Sequence, residues 1–134
     1  MARISNFVYC LNATASGMEA NAMGILSAIT PDYIPGAFSF SVFCSIVDLE
    51  DGNPNIKMQF YSPDNKILAN LEGAIPYAKP EDVNLPKEHV GVNIACMLQN
   101  ILLEKSGMYR MDVTVDGMFC GSYEIFVKGK NEAI

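Results

Sequence analysis

The chain has few of the residues that enzymes and nucleic-acid binders depend on. It carries one histidine, His89, in 134 residues. Ser–His–Asp, Cys–His and His–metal arrangements would all need that ring, which lies in Lys87-Glu88-His89 beside a proline-rich stretch. No serine sits in a G-x-S-x-G turn, and neither G-x-x-x-x-G-K-S/T nor G-x-G-x-x-G occurs, so the usual phosphate cradles are missing. The four cysteines, Cys10, Cys44, Cys96 and Cys120, make no CxxC pair and no Cys/His cluster, which argues against a zinc site. Basic residues are scarce too: 9 against 15 acidic, for a net charge of −6. That balance leaves no basic face for a nucleic-acid backbone. The acids are scattered, not massed in the dense run of a DNA mimic. No apolar run reaches the length of a membrane span, and the first twelve residues lack the h-region and cleavage motif of a secretory signal.

These absences point to an intracellular, cytoplasmic protein with four free thiols and no disulfide. Neither a nucleic-acid polymer nor a membrane is expected as a partner, and no metal, cofactor or catalytic activity. Asn12-Ala13-Thr14 reads as a chance glycosylation sequon. Oxygen-bearing side chains at Asp48, Glu50, Asp51 and Asn53 suit Ca²⁺ in kind, but their spacing matches no EF-hand loop. Acid–base work would need two carboxylates facing each other across a cleft, whereas the pairs Glu50-Asp51 and Glu81-Asp82 lie in turn-like, solvated segments.

What the chain does have is hydrophobicity, half of its residues, and alternation. Disorder is excluded, and residues 1–134 fit a single domain. From Tyr109, the apolar residues Tyr109, Met111, Val113 and Val115 alternate with Arg110, Asp112, Thr114 and Asp116, the period of a half-buried strand. Asp116-Gly117 supplies a tight hairpin turn, and Phe119, Tyr123, Ile125 and Val127 mark the return. Upstream, residues 4–11 form a first strand, 12–21 a loop (or a short helix through Met18 and Met23), and 24–29 a second strand. Pro31 and Pro35 stiffen the next connection. Residues 37–49 form the longest strand, with Phe38, Phe40, Val42, Cys44 and Ile46 on its core face. A loop at 50–54, a strand through Ile56, Met58 and Phe60, a turn at 62–66 and a strand at 67–71 make two successive hairpins. Residues 73–88, with three prolines, carry the chain from one sheet to the other. For 90–104 two periods compete. Val90, Val92, Ile94, Cys96 and Leu98 alternate as a strand, while Val90, Ile94, Met97, Leu98, Ile101 and Leu102 fit a helical stripe. The β-branched cluster favours a strand to about residue 98 and a bend after it. Residues 129–134 read as a loose tail. The sum is an all-β protein: an antiparallel β-sandwich, Ig-like or C2-like, of seven to eight strands with at most one short helix.

Several of these features are shared with known proteins. The Phe38 to Ile46 strand, the Glu50-Asp51-Gly52 and Ser62-Pro63-Asp64-Asn65-Lys66 turns, Gly107-Met108-Tyr109 and Val115-Asp116-Gly117 together resemble a family of small uncharacterised intracellular β-sandwich proteins of bacteria and phages. The resemblance spans about two thirds of the chain and implies a fold, with no activity or cofactor. Gly107-Met108-Tyr109 also resembles the corner tyrosine of Ig-like sandwiches, whose hydroxyl ties the strand to the preceding loop.

Two sets of residues stand out as binding candidates. Ser39, Ser41, Phe43, Ser45 and Val47, on the odd face of the 37–49 strand, form an uncharged stripe suited to self-association or to another protein. Met97, Met118 and Phe126 also fall on the outward parity. Lys57, Tyr61, Lys66, Tyr77 and Lys79 pair aromatics with cations and could stack and hold a small, nucleotide-type ligand. The first set makes the protein a non-enzymatic binding module, a homo-oligomer by preference. The second would make it a ligand-sequestering protein, such as a phage-encoded antagonist of host defence.

Overall fold

The computed structural model describes residues 1–16 and 19–132. Among the described residues, nine strands form two packed sheets, and the only helical element is a 3-10 turn at Lys87–His89. In chain order the strands are β1 (Arg3–Ser16), β2 (Glu19–Leu26), β3 (Ala28–Ile29), β4 (Gly36–Val47), β5 (Asn55–Tyr61), β6 (Ile67–Ala74), β7 (Gly91–Leu103), β8 (Gly107–Val115) and β9 (Met118–Val127). One sheet has four strands in the order β2-β1-β4-β7, the other five in the order β3-β9-β8-β5-β6. All pairs are antiparallel except β3 with β9. The all-β sandwich expected from alternation is the fold.

The inner faces meet as period two requires. Phe40, Val42, Cys44 and Ile46 of β4 are buried against Ile56, Met58 and Phe60 of β5 and Tyr109, Met111, Val113 and Val115 of β8. The aromatic centre joins both sheets: Phe60 lies 5.3 Å from Phe40 and 5.8 Å from Tyr109, ring centre to ring centre. The Tyr109 hydroxyl donates to the Lys105 carbonyl at 2.7 Å, the strand-to-loop tie its position implied.

Other expectations need correction. Residues 12–16 and 19–21 are neither loop nor helix: β1 runs on to Ser16, β2 starts at Glu19 and holds Met23, and the two pair antiparallel (Gly17 and Met18 lie outside the described residues). The longest strand is β1, ahead of β7 and β4. β4 and β5 are not a hairpin, because they belong to different sheets; residues 48–54 cross between layers, and only β5–β6 pairs in succession there. Residues 91–103 form one continuous strand. A register shift between Phe38 and Phe40 and a positive φ of 54° at Asn100 absorb an extra residue where a bend was expected. The tail is tied down as far as Glu132. Lys130 N donates to the Pro31 carbonyl at 2.9 Å, and the Asn131 side chain brackets Ile34, its Oδ1 accepting from the backbone N at 3.1 Å. Ala133 and Ile134 lie outside the described residues.

Candidate interaction surface

The two sheets differ in what they show to the outside. In the five-stranded sheet, most positions that alternate with core residues are polar or charged, with Ile67, Met108 and Phe126 among the exposed apolar exceptions. Lys57 stands in register with Glu72 and Thr114, and Gln59 with Asn70 and Asp112. Asp112 accepts from Ser122 Oγ at 2.7 Å and lies 3.4 Å from Arg110 Nε. This is the usual hydrophobic-in, polar-out sheet. The four-stranded sheet departs from that pattern. Its strands contain two charged residues, Arg3 and Glu19, each at the first position of a strand. β4 and β7 contain none on either face.

Register identifies the outward residues of that sheet. One row crosses all four strands as Ile25, Cys10, Ser41 and Met97; the next holds Val8, Phe43 and Ala95; a third holds Asn6, Ser45 and Asn93. The stripe Ser39, Ser41, Phe43, Ser45 and Val47 runs down the middle. Ser41, Ser45 and Val47 are sunk between β1 and β7, Phe43 is half-buried, and Ser39 is exposed. The Ser39 and Ser45 hydroxyls and the Ser41 carbonyl bond within their own sheet. Ser45 Oγ donates to Asn93 Oδ1 at 2.7 Å, Ser39 Oγ accepts from Asn100 N at 2.9 Å, and the Ser41 carbonyl accepts from Cys10 Sγ at 3.6 Å. What remains outward is smooth and uncharged, rimmed by exposed Met23, Ile25 and Met97. Met118 and Phe126, expected outside, are exposed on the other sheet.

The aromatic and basic candidates do not converge. Lys57 and Tyr61 share the outer face of β5. Tyr61 carries the Arg110 guanidinium 4.3 Å from its ring centre and donates to Gln59 Oε1 at 2.9 Å. Lys66 pairs with Glu104 at 3.4 Å. Tyr77 and Lys79 sit with the loop before β5, on the order of 20 Å from Tyr61 by strand length: Tyr77 makes a backbone bridge with Gly52, and Lys79 N donates to Asp51 Oδ1 at 3.1 Å. Tyr77 is buried, its hydroxyl has no hydrogen-bond partner among the described residues, and burial raises its pKa. Strand length thus separates Tyr77 and Lys79 from Tyr61 and Lys66.

Elsewhere the titratable groups serve structure. His89 Nδ1 lies 3.4 Å from Arg3 NH2, which also donates to the Glu88 carbonyl. Asp48 and Glu50 meet cations of the chain itself: Asp48 takes the N-terminal ammonium at 2.9 Å and Lys87 at 3.4 Å, and Glu50 takes Lys87 at 2.5 Å. Among the described residues, no three His, Cys, Asp or Glu side chains are grouped to hold a metal. The four cysteines are free thiols; burial, with Cys96 and Cys120 nearby, pushes Cys44 up to about 12.

The hydrogen bond from the N-terminal ammonium, with Lys87 assisting, outweighs desolvation and lowers the Asp48 pKa. A carboxyl depressed in the folded state adds stability above its unfolded pKa, and loses it as pH falls through the folded value. Asp48→Asn is therefore expected to lower Tm at neutral pH and to flatten the acid side of the Tm–pH curve. Melting wild type and variant at intervals from neutral pH to below the carboxylate range checks this.

What the chain resembles follows from three comparisons. A family model described as Family of unknown function (DUF6941) matches residues 5–128. The curated proteins give no match. Among solved structures, the Pseudomonas fluorescens alkylpurine DNA glycosylase AlkC, bound to DNA containing an abasic site analog, superposes with a TM-score of 0.44 at 9% identity, over 95% of this chain and 30% of that one. The chain thus spans under a third of that enzyme's length, and a likeness this faint lends nothing to the reading of the surface. The family match covers nearly the whole molecule, and the chain belongs to the DUF6941 family.

Proposed function

We propose that this protein is a non-enzymatic binding module that self-associates through the outer face of its four-stranded sheet. One observation carries the reading: that sheet has charge only at Arg3 and Glu19, whereas the outer face of the other is laced with it. An antiparallel sheet face left to water ordinarily carries Lys and Glu. Without them, solvent gains little from this face, and a partner loses little by desolvating it. The second copy is the favoured partner for an electrostatic reason. Each chain has a net charge of −6. Two such molecules repel at most approaches, and least where neither presents a charge.

The size of the face is adequate. Four strands of about ten residues cover roughly 600 Å². Two such faces bury about 1,200 Å², the lower end of a stable interface. Phe43 sits mid-face with Val8 and Ala95 in register on either side. A carboxylate there would have to be desolvated on association, so Phe43→Asp is expected to shift the sedimenting species to the monomer while the far-ultraviolet spectrum stays that of a β protein. Met97→Glu, at an exposed position on the same face, should do likewise without disturbing packing. A monomeric wild type at all concentrations, or oligomers indifferent to both substitutions, would overturn the proposal.

A further inference from the structure

The same four-stranded sheet is unfinished at its edges. β2 and β7 bound it, and each presents an outer row of backbone N–H and C=O groups with no strand beside it among the described residues. Soluble proteins blunt such edges with lysine, proline, strong bulges or very short strands. The five-stranded sheet follows that practice in part: one edge, β3, is two residues long, and the other, β6, carries Glu72. β7 has thirteen residues, no charge and no proline, and its bulge lies near its far end. β2 has eight residues, no proline, and a single charge at Glu19.

β2 is also half of an arm. β1 pairs with β4 only as far as Cys10, yet continues to Ser16 and pairs with β2 down to Glu19. The arm is therefore a two-stranded ribbon with most residues exposed on both faces, and a ribbon of that kind is marginal in water by itself. Alanines at 13, 15, 20 and 22 alternate along it.

We infer that β2 of one copy adds to β7 of the next, edge to edge, so that the four-stranded sheets join in a head-to-tail series. Three features fit. Chain sense alternates without a break across β2-β1-β4-β7, so a β2 placed beside β7 continues an antiparallel sheet. The large exposed apolar residues that have a cross-strand neighbour on their inner side only lie on one face of the two edges: Met23 and Ile25 on β2, Met97 on β7, each more than half exposed. Antiparallel pairing brings such residues into cross-strand contact. No like charges meet, because β7 has none and Glu19 lies at the start of β2. Since β2 and β7 are opposite edges, the contact is heterologous and builds rings or open rows, not closed dimers. The inference shares with the proposed function the premise that copies of this chain meet and the rim residues Met23, Ile25 and Met97; the contact is edge to edge instead of face to face.

Cysteine cross-linking tests it. The double variant Ile25→Cys/Met97→Cys, oxidised mildly with copper–phenanthroline, should give a ladder of dimer, trimer and higher species on a non-reducing gel. Each single variant should stay at the wild-type background, and a mixture of the two singles should stop at dimers. Dimers from Ile25→Cys alone would mean that β2 pairs with its own copy, and would overturn the inference, as would a double variant that stays monomeric. Adding Phe43→Asp separates the two surfaces: a persisting ladder supports the edge contact even if the sheet-face proposal fails, whereas a lost ladder means that edge pairing has no independent existence.

Discussion

Replacing Phe60 with alanine is expected to cost about 3–5 kcal/mol, a large share of the ~5–15 kcal/mol that holds a domain of this kind together. Phe60 is fully buried and belongs to β5, yet its ring meets the other sheet, 5.3 Å from Phe40 and 6.3 Å from Tyr9. Tyr109 stacks at 5.8 Å on its own sheet. Truncation removes the ring that three others lean on, and the surrounding strands are hydrogen-bonded on both sides and cannot collapse into the space. The cavity term therefore adds to the lost burial. Thermal melting should show a fall in Tm of about 10–20 °C. Phe119→Ala is the control: that ring is 61% exposed, and its loss should change stability by no more than about 0.5 kcal/mol. Equal effects from the two substitutions would mean that Phe60 is not the joint between the layers.

How much of this fold a reader of the sequence can reach depends on whether a strand has a buried face. β5 and β8 do, and their alternation gives them away residue by residue. Asp116 and Gly117, with φ of 50° and 80°, fix the turn between β8 and β9 just where the dipeptide suggests. The arm has no buried face. Small residues at 12–16 and 19–22 therefore show no hydrophobic period, although they are paired with one another, and the segment reads as loop. In β7 a bulge disguises the strand. One extra residue near Asn100 puts both Leu98 and Ile101 toward the core, a spacing of three that mimics a helical stripe. Layer assignment is invisible for another reason. Turn chemistry at residues 50–54 looks the same whether the next strand lies beside β4 or crosses to the opposite sheet, since both arrangements bury Ile56, Met58 and Phe60.

The candidate surface is half legible in the same sense. The uncharged odd positions of β4 are visible in the sequence, but their neighbours are not. Val8, Cys10 and Ala95 join Phe43 and Ser41 only through register, across separations of thirty residues and more. The signal that reaches the whole surface is the run of strands without charge, β4 and β7 together, and it gains meaning only once the two are known to be adjacent. For the ligand candidates the converse holds. Lys57, Tyr61, Lys66, Tyr77 and Lys79 share a chemistry, and pairing places them at different ends of the molecule.

Gly91→Ala should be as damaging as the loss of Phe60, through one methyl group. Gly91 opens β7 and stands in register with Val47, the last residue of β4. A Cβ there would lie 1.7 Å from the Ile46 carbonyl oxygen and 2.7 Å from the Val47 Cα. Both obstacles are backbone, so no rotamer change relieves them. The two strands must part at their shared end, where Asp48 N also donates to the Val90 carbonyl at 3.2 Å. Overpacking of a core commonly costs about 1–3 kcal/mol, and a clash with fixed backbone belongs at or beyond the upper end. Gly73→Ala reverses the sign. Nothing lies within 4 Å of the added methyl on β6, and the restriction of the unfolded chain should leave the variant unchanged or up to about 1 kcal/mol more stable. Urea melts of the two alanine variants decide the matter. If Gly91→Ala matched Gly73→Ala, β4 and β7 would have to be farther apart at that end, and the sheet whose bare face and free edges carry the proposals would be assembled differently.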